Sequence, residues 1–164
     1  CLGMANTTFV GQNLGAGKLD RVKKGVNIGI LIAMAGTLII VVPLMCFSDT
    51  MLKLFNSDPE VLRYGRMFVL YMSPFYRPYC ATQIYSGALR GAGDSLSPMI
   101  VTIASFVVFR QLYLLIGTQF ISSPLFVGLS YPAGWIVSTI TLFIIYRSGR
   151  WEKKLPAHVR MQAA

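Results

Sequence analysis

Four long stretches of this chain are predominantly apolar, and each is long enough to cross a lipid bilayer as a helix. Val26–Phe47 and Leu125–Tyr146 hold no charged residue, and Pro98–Ile121 holds one, Arg110. Val61–Leu89 is longer and is interrupted by Pro74, Arg77 and Pro78. A spanning helix needs about 20 mostly apolar residues to cross a hydrocarbon core of about 30 Å. The opening run Leu2–Leu14 extends only about 20 Å as a helix. It is expected to be the end of a truncated span, which makes the chain a fragment. The pattern predicts an all-α integral membrane fold of four transmembrane helices plus a partial one.

The polar connectors carry helix-boundary chemistry. Gly11, Gly15 and Gly17 can end a helix, because glycine accepts the left-handed cap conformation. Ser57-Asp58-Pro59-Glu60 supplies a capping side chain, a proline for the first turn and an acid near the positive helix end. Ser97-Pro98 and Ser123-Pro124 are expected to open the last two spans. The resulting division is residues 1–14 as a truncated helix end, 15–25 as a cytoplasmic loop, 26–147 as the four-helix bundle and 148–164 as a basic cytoplasmic tail.

Composition agrees with immersion in lipid. Apolar residues make up 54% of the chain and charged ones 13%, against about 25% charged in a soluble domain, and the mean hydropathy is +0.58. A net charge of +9 in a soluble chain would point to nucleic acid. Here the cations cluster beside apolar runs, at Lys18, Arg21, Lys23 and Lys24 and again at Arg147, Arg150, Lys153, Lys154 and Arg160. That is the distribution of cytoplasmic loops, so both chain ends are expected in the cytoplasm of a cell whose inner membrane holds the protein. Membrane lipid is the expected partner and nucleic acid is not. Cys1, Cys46 and Cys80 have no metal-ligand spacing and read as buried thiols, and His158 lies in the basic tail.

Gly11-Gln-Asn-Leu-Gly-Ala-Gly-Lys18 superficially matches a phosphate loop. Five residues rather than four separate Gly11 from Gly17, and Leu19 stands where a magnesium-binding hydroxyl is required. Asp20 fills the third glycine position of a dinucleotide fingerprint. A tight turn between membrane helices remains.

Arg77 and Arg110 are sharper signals, since each falls near the middle of its stretch. Arginine at a helix centre costs about 2.5–3.5 kcal/mol on insertion scales, so each should face a wet cavity or a protein partner. Tyr76, Tyr79, Gln83, Ser86 and Arg90 recur at helical spacing and form one stripe beside two prolines that weaken the helix. Such a stripe lines a substrate path or packs helices together, and the sequence leaves both open. No carboxylate occurs between Glu60 and Asp94, nor between Asp94 and Glu152. Ion-coupled carriers use an intramembrane acid, so a coupling acid would lie elsewhere.

Four stretches in order resemble the multidrug and toxic compound extrusion (MATE) family: GQNLGAGKLDRVKKG at Gly11–Gly25, LFNSDPEV at Leu54–Val61, GALRGAGDSLSPM at Gly87–Met99 and YRSGRW at Tyr146–Trp151. The resemblance implies a twelve-helix antiporter of two six-helix lobes, with this chain covering the end of helix eight and helices nine to twelve. It implies export of organic cations and other drugs against a proton or sodium gradient, with no cofactor, and a partner in the missing N-terminal lobe. NorM-type members carry an aspartate on helix ten where this chain has Tyr79. The proton-coupled DinF-like members, with key acids on the first helix, are therefore the closer resemblance. Tyr76, Arg77, Tyr79, Gln83 and Arg110 are the expected substrate-path residues. The alternatives are a lipid-linked oligosaccharide flippase of the same superfamily and a four-helix membrane scaffold without transport.

Overall fold

The computed structural model describes residues 2–55, 57–117, 119–120 and 124–153. Every regular element among them is helical: α1 (Leu2–Gly15), α2 (Leu19–Cys46), α3 (Ser48–Lys53), α4 (Pro59–Met72), α5 (Tyr76–Gly91), α6 (Leu96–Ile103), α7 (Arg110–Gly117), α8 (Pro124–Arg147) and α9 (Arg150–Lys153). A 3-10 turn at Ser73–Phe75 joins α4 to α5, and a π-helical segment at Ala104–Phe109 joins α6 to α7.

Three helical stretches, Leu19–Cys46, Leu96–Gly117 and Leu125–Arg147, are long and apolar enough to cross a membrane. Their outer faces are unusually greasy: Ile39 of α2 is 73% exposed, and Ile40, Leu115 and Ile144 are also exposed. Soluble proteins rarely expose contiguous apolar patches beyond a few hundred Å². Lipid supplies the missing cover, and the molecule is an integral membrane protein.

The fourth predicted span, Val61–Leu89, is not one helix. It divides at the Ser73–Phe75 turn, and Pro74 lies within that turn. Pro78 falls in the first turn of α5, where helix N–H groups have no intrahelical partner, so its missing donor weakens nothing there. The sequence reading of Pro78 as a helix breaker is corrected.

Several boundaries also move. α2 begins at Leu19, well inside the expected loop 15–25, and Lys23 and Lys24 are helical. Asp58 caps α4 as expected, its carboxylate accepting from the Glu60 N–H at 2.9 Å. Ser97 does not open α6. Asp94 does: its carboxylate accepts from the Ser97 N–H at 3.3 Å and from the Ser97 hydroxyl at 2.7 Å. Ser123 lies outside the described residues. The basic tail is partly structured, since α9 buries Trp151; His158 and Arg160 lie outside the described residues.

The two Gly-Ala-Gly turns are built alike. Gly17 and Gly93 have φ of 72° and 86°. Lys18 N–H reaches the Asn13 carbonyl and Gly17 N–H the Leu14 carbonyl, both at 2.9 Å; Asp94 N–H reaches Leu89 at 2.9 Å and Gly93 N–H reaches Arg90 at 3.0 Å. These are the paired bonds of a left-handed glycine cap, a conformation that costs other residues energy.

At the centre stands α5, which packs against α1, α2 and α8. Its Gly87 and Gly91 lie directly on the α1 backbone: a Cβ at Gly87 would collide with the Gly3 carbonyl oxygen, and one at Gly91 would come within 2.5 Å of that of Thr7. Glycines four apart let two membrane helices approach to backbone contact. The order of these contacts makes α1 and α5 parallel. Tyr76 and Tyr79 meet Trp135, and Tyr85 meets Phe143 and Tyr146, so α5 and α8 are parallel as well. The ends of α5 and α8 and the start of α2 therefore gather at one end of the bundle, where Lys23 pairs with Glu152 at 3.0 Å. At the other end Arg66 pairs with Asp49 at 3.2 Å.

Candidate functional site

Three residues of the predicted stripe line one cavity. Tyr79, Gln83 and Arg90 project from α5 into a cleft of about 590 Å³ that also touches α1 at Gly3 and α2 at Ala33. Helical spacing of 4 and 7 residues places them on one face. Among the described residues its lining includes one cation, Arg90, and no carboxylate. The Arg90 side chain is held back along α5 by a 3.3 Å bond from its Nε to the Ser86 carbonyl. The thiol of Cys80, also in the wall, shares a 2.9 Å hydrogen bond with Thr37 of α2.

Tyr76 is placed differently. Its ring lies 5.2 Å from Trp135 of α8, and the Tyr79 ring lies 5.3 Å from the same indole. Two tyrosines thus bracket a tryptophan, at centroid separations within the range of interacting aromatic pairs. Trp135 escaped the sequence reading because nothing in an uncharged run marks which ring faces inward. Ser86, the remaining stripe member, is buried rather than cavity-lining.

The two arginines part company. Arg77 is exposed at the start of α5 and makes no ion pair among the described residues. Arg110 is half-buried and pinned. Its Nε donates to the Ser130 hydroxyl at 3.4 Å, and its guanidinium carbon sits 3.7 Å from the centre of the Tyr131 ring. A cation over an aromatic face is attracted by the ring quadrupole. Of the two readings left open by the sequence, a wet cavity or a protein partner, Arg110 has the protein partner, a hydroxyl and a ring. The π-helical segment lies immediately before it, and such single-turn insertions redirect the residues that follow. Arg110 does not line the cleft.

Hydrogen bonds across helices fix α5 in place. Thr139 of α8 bonds to the Pro78 carbonyl at 2.7 Å and shares a 2.8 Å bond with Thr82. Asn6 of α1 donates to the Ile84 carbonyl at 2.9 Å. No cluster of side chains among the described residues could hold a metal ion. Cys46, expected as a buried thiol, is exposed.

The profile of the MatE family matches residues 1–115. A probable multidrug resistance protein of Bacillus subtilis, YpnP, is 26% identical over 150 residues, which cover 92% of this chain and 34% of that protein. A probable multidrug resistance protein of Thermotoga maritima, NorM, is 24% identical over 154 residues, 93% of this chain and 33% of its own. An FAD transporter of Shewanella oneidensis is 26% identical over 100 residues, 61% of this chain and 22% of its own. The chain thus spans about a third of the length of the first two relatives.

Proposed function

This chain belongs to the MatE family of membrane transporters, and from that premise we propose that it forms part of the second lobe of a secondary active drug exporter. The observation that carries this reading is the cleft in which Tyr79, Gln83 and Arg90 meet. A cavity of that size, walled by an aromatic ring and a few polar groups beside apolar residues, has the make-up of a site for a flat organic molecule. Cargo would move as this bundle rocks against the remaining lobe. Binding and movement, not covalent chemistry, are the protein's task.

The basic end of the bundle would face the cytoplasm of the inner membrane, by the bias of Lys18–Lys24, Arg147 and Arg150. Coupling to protons rather than sodium is supported by Tyr79, which stands where a NorM-type aspartate would lie. The coupling acid would then belong to another part of the protein. A drug-efflux assay on the complete protein tests the reading. Tyr79→Ala combined with Gln83→Ala should cut efflux at least about tenfold at normal expression, since two or more contacts of about 1 kcal/mol each are lost. Wild-type-like efflux would remove the cleft from the cargo path.

A second reading concerns the charge of the cargo. Arg90 in the wall and the lack of any lining acid favour a neutral or anionic molecule over a cation, and one relative bears the name of a transporter of the anionic dinucleotide FAD. Competition by an anionic flavin nucleotide but not by a cationic dye would select this reading.

A further inference from the structure

At the basic end of the bundle, away from the cleft, a second pocket of about 330 Å³ lies between the start of α2, the end of α5 and the junction of α8 with α9. Besides Trp151, five of its lining side chains can donate hydrogen bonds: Lys23 and Asn27 from α2, Tyr85 from α5, Tyr146 and Arg147 from α8. The single acid in the lining, Glu152, is occupied by Lys23 at 3.0 Å. Arg147 makes no ion pair among the described residues; its guanidinium lies 5.9 Å from the centre of the Phe143 ring. The hydroxyl of Tyr146 is shut off from solvent and meets no hydrogen-bond partner among the described residues, which is costly for a buried polar group.

The pocket is a built structure rather than a surface dent. The Trp151 indole stacks on Tyr146 with centroids 5.4 Å apart and planes 10° from parallel, and its N–H donates to the Tyr146 carbonyl at 2.9 Å. Trp151 is only 1% exposed. Tyr85 packs on Tyr146 at 5.4 Å from the other side. Three packed rings therefore form one wall of the pocket.

Its position selects the ligand. The pocket lies at the end of a membrane-spanning helix, and the exposed side chains of Ile140, Phe143 and Ile144 run away from it as one apolar stripe on α8. Donors at the mouth and an apolar track below match a molecule with a phosphate head and hydrocarbon tails. Basic pockets between membrane helices are known physical solutions for anionic headgroups, and a guanidinium with an ammonium suits phosphate oxygens.

We propose that this pocket binds the phosphate headgroup of an anionic membrane phospholipid, with Arg147 and Lys23 as its charged contacts and the exposed Asn27 amide as a further donor. Lys23 would then be shared between Glu152 and the phosphate. The site ties α2, α5 and α8 together through a lipid at one membrane surface. It rests on the membrane embedding of the chain and not on the identity of the cargo.

The complete protein, purified in detergent without cargo, is titrated with mixed micelles carrying phosphatidylglycerol or, in parallel, phosphatidylcholine, and the midpoint of thermal unfolding is followed. Phosphatidylglycerol should raise the midpoint, phosphatidylcholine should not, and Lys23→Gln with Arg147→Gln should weaken the response at least about tenfold. Lys53→Gln, a cation at the opposite end, should leave it unchanged. Should the double variant fail to fold, Arg147→Gln alone, which keeps the Lys23–Glu152 pair, decides by a response several-fold weaker than wild type. Equal stabilisation by both lipids, an undiminished response in a folded double variant or in Arg147→Gln, or an equal effect of glycerol phosphate without acyl chains would overturn the proposal.

Discussion

Gly91 shows how much one missing methyl group decides. A Cβ there would stand 2.5 Å from the Thr7 carbonyl oxygen and 2.8 Å from the Val10 Cβ. Backbone cannot step aside as a flexible side chain can, so α1 and α5 must separate. Gly91→Ala is expected to destabilise the complete protein by about 1–3 kcal/mol, read as a lower unfolding midpoint in detergent. The sequence offered Gly87 and Gly91 only as part of a family motif; the physical need for them is the backbone contact. Arg110 gives the complementary lesson. Its position inside an apolar run called for a wet cavity or a protein partner, without deciding between them. Ser130 and Tyr131 are about twenty residues away in the chain and become neighbours only because α7 and α8 pack side by side.

Among the elements, α5 was the least accurately read and is the most informative. The expected long span over Val61–Leu89 dissolves into α4, a 3-10 turn and α5, because Pro74 cannot continue a helix while Pro78 can begin one. The freed start of α5 is then secured from outside, by Thr139 bonding to the Pro78 carbonyl at 2.7 Å and to Thr82 at 2.8 Å. Hydrogen bonds between membrane helices average about 0.6 kcal/mol and reach about 1.7 kcal/mol. Thr139→Val should lower stability by that amount, and adding Thr82→Val should cost less than the sum of the two single changes, because they share a bond. A double-mutant cycle of unfolding free energies measures this; strict additivity would show that the pair is not coupled. A stripe of Tyr76, Tyr79, Gln83, Ser86 and Arg90 on this helix was legible from spacing alone. That Tyr79, Gln83 and Arg90 line a cleft while Ser86 is buried and Tyr76 lies against Trp135 was not, since spacing gives a face but not its neighbour.

For the molecule as a whole, the parallel run of α1, α5 and α8 brings the basic clusters of three distant chain segments to one end. Cysteine labelling of intact cells tests the orientation proposed from that clustering. Reporters at residues 18 and 150 of the complete protein should react only after the membrane is made permeable, and a reporter at residue 53 should react from outside. Labelling of residues 18 and 150 from opposite faces would sink the even number of crossings. The surface pair Lys23–Glu152 should itself contribute little to stability, about 0–1 kcal/mol, as exposed ion pairs do.

Membrane residence and helical class followed from the sequence by itself. Burying uncharged runs of that length in lipid is a one-dimensional requirement that each segment meets on its own. Whether a residue faces the cleft, lipid or another helix was decided by the tertiary structure. Those outcomes depend on contacts between segments far apart in the chain: Gly91 on Thr7, Arg110 on Tyr131, Trp151 on Tyr146. The break at Pro74 and the π-helical turn before Arg110 belong with them, for they set the rotation of each helix and hence the face that every later residue presents.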